Sequence, residues 1–157
     1  MGVNNIIIVD NDIVDETNLN RQLLSLRSNI GKKKTDVAKR RVLDINPECN
    51  IITISKFIDR TNYLELFSYN IDYVIDACDT VTTKILLIEE CLNRNIKIIS
   101  CMGTGNKFHP EMLEICELNK TSYDPLAKVI RNKFKNEKRK IMVVYSKEES
   151  IKNLELL

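Results

Sequence analysis

Glycine is scarce in these 157 residues: there are four, Gly2, Gly31, Gly103 and Gly105. None builds a glycine-rich loop of the kind whose backbone N–H groups cradle a phosphate. No apolar run approaches the roughly 18 residues of a membrane span. The opening MGVNNIIIVD has no basic leader before its short apolar stretch, so it reads as a strand and not as a signal peptide. The five cysteines, Cys49, Cys78, Cys91, Cys101 and Cys116, contain no CxxC pair, which speaks against a zinc knuckle. An odd, irregular set without a leader fits reduced thiols in a cytoplasm. Cys101 and Cys116 sit in or after apolar runs, where cysteine acts as a small buried hydrophobe more often than as a nucleophile. The single histidine, His109, precedes a proline and has no sequence partner for general-base work. A formal net charge of only +2 gives no overall argument for nucleic acid or membrane, so local clusters must carry any such claim.

What the chain does have is alternation. Residues 5–9 (NIIIV), 50–54 (NIITI), 72–76 (DYVID) and 96–101 (IKIISC) are short apolar runs rich in branched residues. Such runs suit strands buried in a parallel sheet. Between them, helical spacing predicts helices over 35–44 (Val37, Ala38, Val42, Leu43), 61–69 (Leu64, Leu66 and Phe67 inward) and 81–93 (Ile85, Leu86, Ile88, Leu92). Residues 18–28 read as a helix or an irregular turn that Gly31 ends, and Asn46-Pro47 closes the helix before it. Beyond Gly103 the alternation weakens. Residues 112–118 are a further strand, and Asp124-Pro125 opens a helix to about Lys135, with Asp as cap and Pro in the first turn. KNEKRK is a basic turn, 141–145 (IMVVY) a last strand, and 147–157 a charged tail read as a loose helix. The expected fold is α/β, a Rossmann-like, mostly parallel sheet with flanking helices. Polar signals follow the strands at Asp10, Asp76 to Asp79 and Met102 to Asn106, at the carboxyl ends where open α/β sheets bind ligands.

The segment 10–22, DNDIVDETNLNRQ, carries the most chemistry. Asp10 ends a strand, where a carboxylate can accept both hydroxyls of a ribose. Asn18, Arg21 and Gln22 share one short polar stretch; an Arg fork suits phosphate oxygens, and Lys34 can reach them as a point charge. Each residue alone is equally a surface side chain. Together, in this order after a strand, they point to a nucleotide triphosphate. In DACDT (76–80), a strand-end carboxylate, a second one at Asp79 and the Thr80 hydroxyl suit Mg²⁺ held with substrate phosphates, while either Asp79 or Thr80 also suits a helix cap.

These strings carry a resemblance. D-x-D-x-V-x-x-x-N-L-N-R-Q at 10–22, G-K-K-K at 31–34, I-N-P at 45–47 and D-A-C-D at 76–79 resemble the superfamily of ubiquitin-activating-like adenylyltransferases (ThiF/MoeB/HesA), which includes enzymes of thiamine and molybdopterin biosynthesis. M-G-x-G-N at 102–106, Pro110, K-T at 120–121 and D-P-L-A-K-V-I-R at 124–131 look like its tRNA threonylcarbamoyladenosine dehydratases. The resemblance covers about residues 3 to 147. It implies that Asp10 binds the ATP ribose, that Asn18, Arg21 and Lys34 hold phosphates with Gln22 beside them, and that Asp79, with Thr80, sits by Mg²⁺. It implies ATP-dependent adenylation of a carboxylate on tRNA followed by ring closure, with Arg21, Lys34 and Asp79 as the residues of the chemistry. It also implies a cytoplasmic homodimer. The basic cluster of 128–140, above all Lys128, Arg131 and Lys135, is then either a solvated helix face or a tRNA-backbone contact.

Members of the superfamily begin with a strand and a G-x-G-G-V-G-S-type loop before the position of Gly2. They also lend an N-terminal arginine across the dimer and continue past the strand at 141–145. The chain therefore reads as one partial adenylating domain over 1–157, truncated at both ends, with its first strand and glycine-rich loop missing. Poor ATP affinity and exposed strand edges that invite pairing are expected. Two other readings stay open: a non-catalytic binding or assembly remnant, and adenylation of a ubiquitin-like sulfur carrier. The missing CxxC pairs and the 100–131 match speak against the latter.

Overall fold

The structure is a computed structural model that describes residues 3–150; most of the expected tail helix, residues 151–157, lies outside the described residues. Two compact units divide between Phe57 and Ile58.

The first unit is a strand–helix–strand. Strand β1 (Asn5–Val9) runs parallel to β2 (Asn50–Ile54), with Asn5 opposite Asn50 and Val9 opposite Ile54. Helix α1 (Lys34–Ile45) crosses between them and ends at Asn46, extended before Pro47 as that proline requires. Between β1 and α1 the chain is irregular, with two short 3₁₀ turns at Glu16–Asn18 and Arg27–Asn29. Hydrogen bonds from Gly31 N to Val14 O and from Val14 N to Lys32 O, both 2.8 Å, zip its ends together. Gly31 makes this turn with φ of +81°, a conformation that side chains rarely adopt.

In the second unit, β3 (Tyr73–Asp76), β4 (Lys97–Cys101), β5 (Leu113–Glu117) and β6 (Met142–Ser146) form one sheet in the order β3-β4-β6-β5. The first three in that order are parallel and β5 is an antiparallel edge. A one-turn helix α2 (Tyr63–Leu66) precedes β3; α3 (Val81–Asn93) joins β3 to β4, and α4 (Pro125–Lys133) precedes β6. Hydrogen bonding thus divides the six strands between a parallel pair and a four-stranded sheet, where the alternation alone implied one sheet. Helix α2 is shorter than expected, and Leu64 points outward; Phe67 is the buried residue there.

Directly paired residues share a face. Ile98, Val143 and Tyr145 face Ile88 and Cys91 of α3 and Ala127 and Ile130 of α4, the centre of the hydrophobic core. Asp124 caps α4 as its sequence position predicts, accepting from Ala127 N at 2.8 Å. The opposite face carries Tyr73, Ile75, Leu113 and Ile115, with Ile75 72% and Ile115 64% exposed. A largely parallel sheet is ordinarily covered on both faces, so this apolar surface is unusual for its class.

Candidate functional site

The irregular segment after β1 is built by short polar side chains. Asp10 Oδ1 accepts from Asp12 N at 2.8 Å, which turns the chain as soon as the strand ends. Asp15 and Asn18 form a reciprocal cap: Asp15 Oδ1 accepts from Thr17 N at 2.8 Å, and Asn18 Oδ1 accepts from Asp15 N at 3.1 Å. The Thr17 hydroxyl, followed by the Thr17 N–H, lowers the Asp15 pKa. Asn18 is buried, so its visible work is to hold this turn. Arg21 Nη1 donates to Thr17 O and Asn20 Oδ1, each at 2.8 Å, and Gln22 Oε1 accepts from Ser25 Oγ at 3.4 Å.

A cavity of about 360 Å³ opens at the carboxyl end of β1, lined by Ile8, Val9, Asp10, Gln22, Leu23, Leu24, Lys34 and Ala38. Its size falls in the usual range of small-molecule sites. Three expected site residues, Asp10, Gln22 and Lys34, therefore surround one space, whereas Asn18 and Arg21 are outside its lining. The apolar part suits an aromatic base, Asp10 suits hydroxyl donors and Lys34 suits an anion. Lys34 Nζ lies 2.7 Å from Asp12 Oδ2, a partner that the D-x-D spacing at 10–12 could have revealed.

In the second unit, Asp76 and Asp79 have separated roles. Asp76 is fully enclosed: its Oδ2 takes Lys84 Nζ at 3.0 Å and Ser100 Oγ at 2.5 Å, and its Oδ1 takes Cys78 N at 3.1 Å. Burial, then the Asp76 carboxylate that accepts its S–H, pushes the Cys78 thiol up to about 12. Asp79 is exposed and, among the described residues, receives only the Thr80 hydroxyl, at 3.3 Å. Neither Asp79 nor Thr80 caps α3 through its side chain. No group of three or more potential metal ligands is present among the described residues. A lone exposed carboxylate still fits Mg²⁺, which keeps its waters and is held by one or two carboxylates with substrate phosphates.

The network of Asp76 was not foreseen. Its signal is Lys84, a cation four residues before Ile88 on the buried face of α3 and eight after the strand-end carboxylate. Of the basic cluster at 128–140, Arg131 donates to Thr121 O at 2.7 Å, Lys133 pairs with Glu89 at 2.9 Å, Arg139 with Glu137 at 2.7 Å and Lys140 with Glu117 at 3.0 Å. His109 pairs with Glu111 at 2.9 Å in the open. No helix of the described residues is long and apolar enough to cross a membrane.

Residues 1–144 match the family described as ThiF. The chain belongs to the ThiF family. Among curated ThiF-like relatives, it is 47% identical over 152 residues to the tRNA threonylcarbamoyladenosine dehydratase of Bacillus subtilis, covering 96% of this chain and 60% of that one. It is 38% identical over 106 residues to an adenylyltransferase and sulfurtransferase of Vanderwaltozyma polyspora, covering 68% of this chain but 24% of that one. Its fold matches the crystal structure of the E. coli tRNA N6-threonylcarbamoyladenosine dehydratase TcdA in complex with ATP. The TM-score is 0.90 and the identity 34%, over 96% of this chain and 65% of that one. This ThiF-family chain thus spans somewhat under two thirds of these dehydratases. The Rossmann-like α/β reading of the sequence agrees with that fold.

Proposed function

We propose that this chain carries the nucleotide-binding part of an ATP-dependent dehydration of threonylcarbamoyladenosine in tRNA. The observation that carries the reading is the cavity at the end of β1, where Asp10 and Lys34 line one space in a chain so similar to named dehydratases. In this reading Asp10 accepts the ribose hydroxyls, and Gln22 lies beside Lys34 at the phosphates. Lys34 exchanges Asp12 for a phosphate oxygen, and Arg21 and Asn18 supply further donors once Arg21 leaves Thr17 and Asn20. Asp79, with Thr80, is the part of the second unit proposed to hold Mg²⁺, an ion that would supply charge neutralisation when bound. The carboxylate of the threonylcarbamoyl side chain attacks the α-phosphorus of ATP and pyrophosphate leaves. The side chain then closes on its own adenylated carbonyl and expels AMP. The protein's part is positioning and charge neutralisation more than proton transfer.

Lys128 and Lys135, with Arg131, are proposed to meet the tRNA backbone. The chain is proposed to act as a homodimer, with the apolar face around Ile75 and Ile115 as the surface a second copy would cover.

Calorimetry with ATP and Mg²⁺, on the chain and on Lys34→Ala, tests the nucleotide step. Micromolar binding, about −8 kcal/mol, that disappears in the variant supports it. Absence of binding assigns the chain to a non-catalytic remnant. Formation of the cyclised nucleoside on substrate tRNA tests the whole reaction, and sedimentation of Ile75→Lys beside the parent tests the dimer.

A further inference from the structure

The positive charge of this chain is not spread evenly. Residues 27–41, RSNIGKKKTDVAKRR, hold seven Lys and Arg against one carboxylate, Asp36, in a protein whose net charge is +2. The remaining residues are therefore net acidic, although residues 128–140 also hold seven Lys and Arg against one carboxylate, Glu137. The turn before α1 and the first turns of α1 sort the cations by direction. Lys34 goes to Asp12 and the cavity of Asp10. Lys32, Lys33 and Arg40 line a second recess, of about 330 Å³, with Gly31, Asp36 and Val37.

Two of these three are already fixed, and by neutral acceptors. Arg40 Nη2 donates to Asn29 Oδ1 at 2.6 Å, and Asn29 is itself buried and tied through Nδ2 to Leu24 O at 3.1 Å. Lys32 Nζ donates to Ser28 O at 2.7 Å. Lys33 is exposed. Among the described residues none of the three makes an ion pair, whereas Arg27 pairs with Glu16 and Lys34 with Asp12. In the cluster at 128–140, three of the seven cations, Lys133, Arg139 and Lys140, face carboxylates. Like charges held within a Debye length of one another repel, and a phosphate chain removes that repulsion while it gains the Arg fork.

Resting on the tRNA reading above, we propose that the face built on Lys32 and Lys33, in the turn before α1, and Arg40 of α1 is a docking surface for the RNA phosphodiester backbone. It is separate from the nucleotide cavity that Lys34 lines. Phosphate contacts of this kind position an RNA without reading its sequence.

The test is binding of an unmodified tRNA transcript to the whole chain across a salt series, with Lys32→Gln/Lys33→Gln/Arg40→Gln and with Lys33→Gln alone. Losing three contacts should flatten the slope of log K against log salt by about 2–3, and losing one by about 0.7–0.9. The single variant removes an exposed side chain, so it guards against a folding defect in the triple one. Slopes unchanged while the parent binds RNA would reject this surface and leave the tRNA reading standing. A parent that binds no transcript would reject both. Binding of phosphatidylserine vesicles in place of RNA, lost in the variants, would reassign the face to anionic lipid and reject the proposal. ATP binding should survive both variants; its loss would show that the face is not separate from the cavity and would overturn the inference.

Discussion

Lys84 and Asp76 meet at 3.0 Å with no solvent contact on either side chain, joining the first turn of α3 to the last residue of β3. Removing only one partner strands a buried charge. Lys84→Met should lower stability by about 3–5 kcal/mol, while Asp76→Asn/Lys84→Met should recover much of that loss. Chemical denaturation of both variants beside the parent checks it; Lys84→Met as stable as the parent would mean that water reaches the pair.

Burial, with Asp76 as acceptor, holds the Cys78 thiol near 12. At pH 8 its thiolate is then on the order of a thousandfold scarcer than that of an open cysteine. Cys78 should be among the slowest thiols to alkylate with iodoacetamide, as followed by peptide mass mapping. Rapid labelling of Cys78 in the folded chain would contradict this geometry.

The hydrogen bond to Glu111, followed by the charges of Glu111 and Glu148, raises the His109 pKa above its ordinary value. A raised histidine stabilises the fold most below its unfolded pKa of about 6.5, and that contribution fades as pH rises through the folded pKa. Because His109 is the only histidine, its imidazole proton resonances follow the titration without assignment. Glu111→Gln should move the midpoint down; an unmoved midpoint would place the cause elsewhere.

Asp12 holds the Lys34 ammonium that the nucleotide reading assigns to phosphate. The carboxylate is more than half exposed, so the pair is weak and competes only mildly. Asp12→Asn should tighten ATP binding by about threefold, the scale of an exposed pair. Weaker binding in the calorimeter would mean that Asp12 orients Lys34 for the ligand instead of restraining it.

The strands and helices were readable because their apolar spacing reports burial: 81–93 and 50–54 match α3 and β2 to the residue. The chain between β1 and α1 was not, because its order comes from side chains bonding to backbone, as Asp15, Asn18 and Asn29 do, and such bonds have no period. Of the group the sequence offers, Asp10, Gln22 and Lys34 line one cavity, while Asn18 and Arg21 are outside its lining. Lys84 was hidden because a lone cation within an apolar helix looks like an interruption until its strand-end partner is seen. The division of the strands was also hidden, since alternation gives the sequence of elements and not which edges bond.

Every member of the hydrophobic core cluster belongs to the second unit, and the strand β1 that leads into the cavity buries no residue fully. Protection against amide hydrogen exchange should accordingly be shallow along β1 and β2 and deep along β4 and β6. A ligand seated beside Asp10 then meets the portion of the protein that its own packing orders least. Its measured affinity is net of the entropy lost in ordering that portion, and its arrival slows exchange most where the empty protein breathes most.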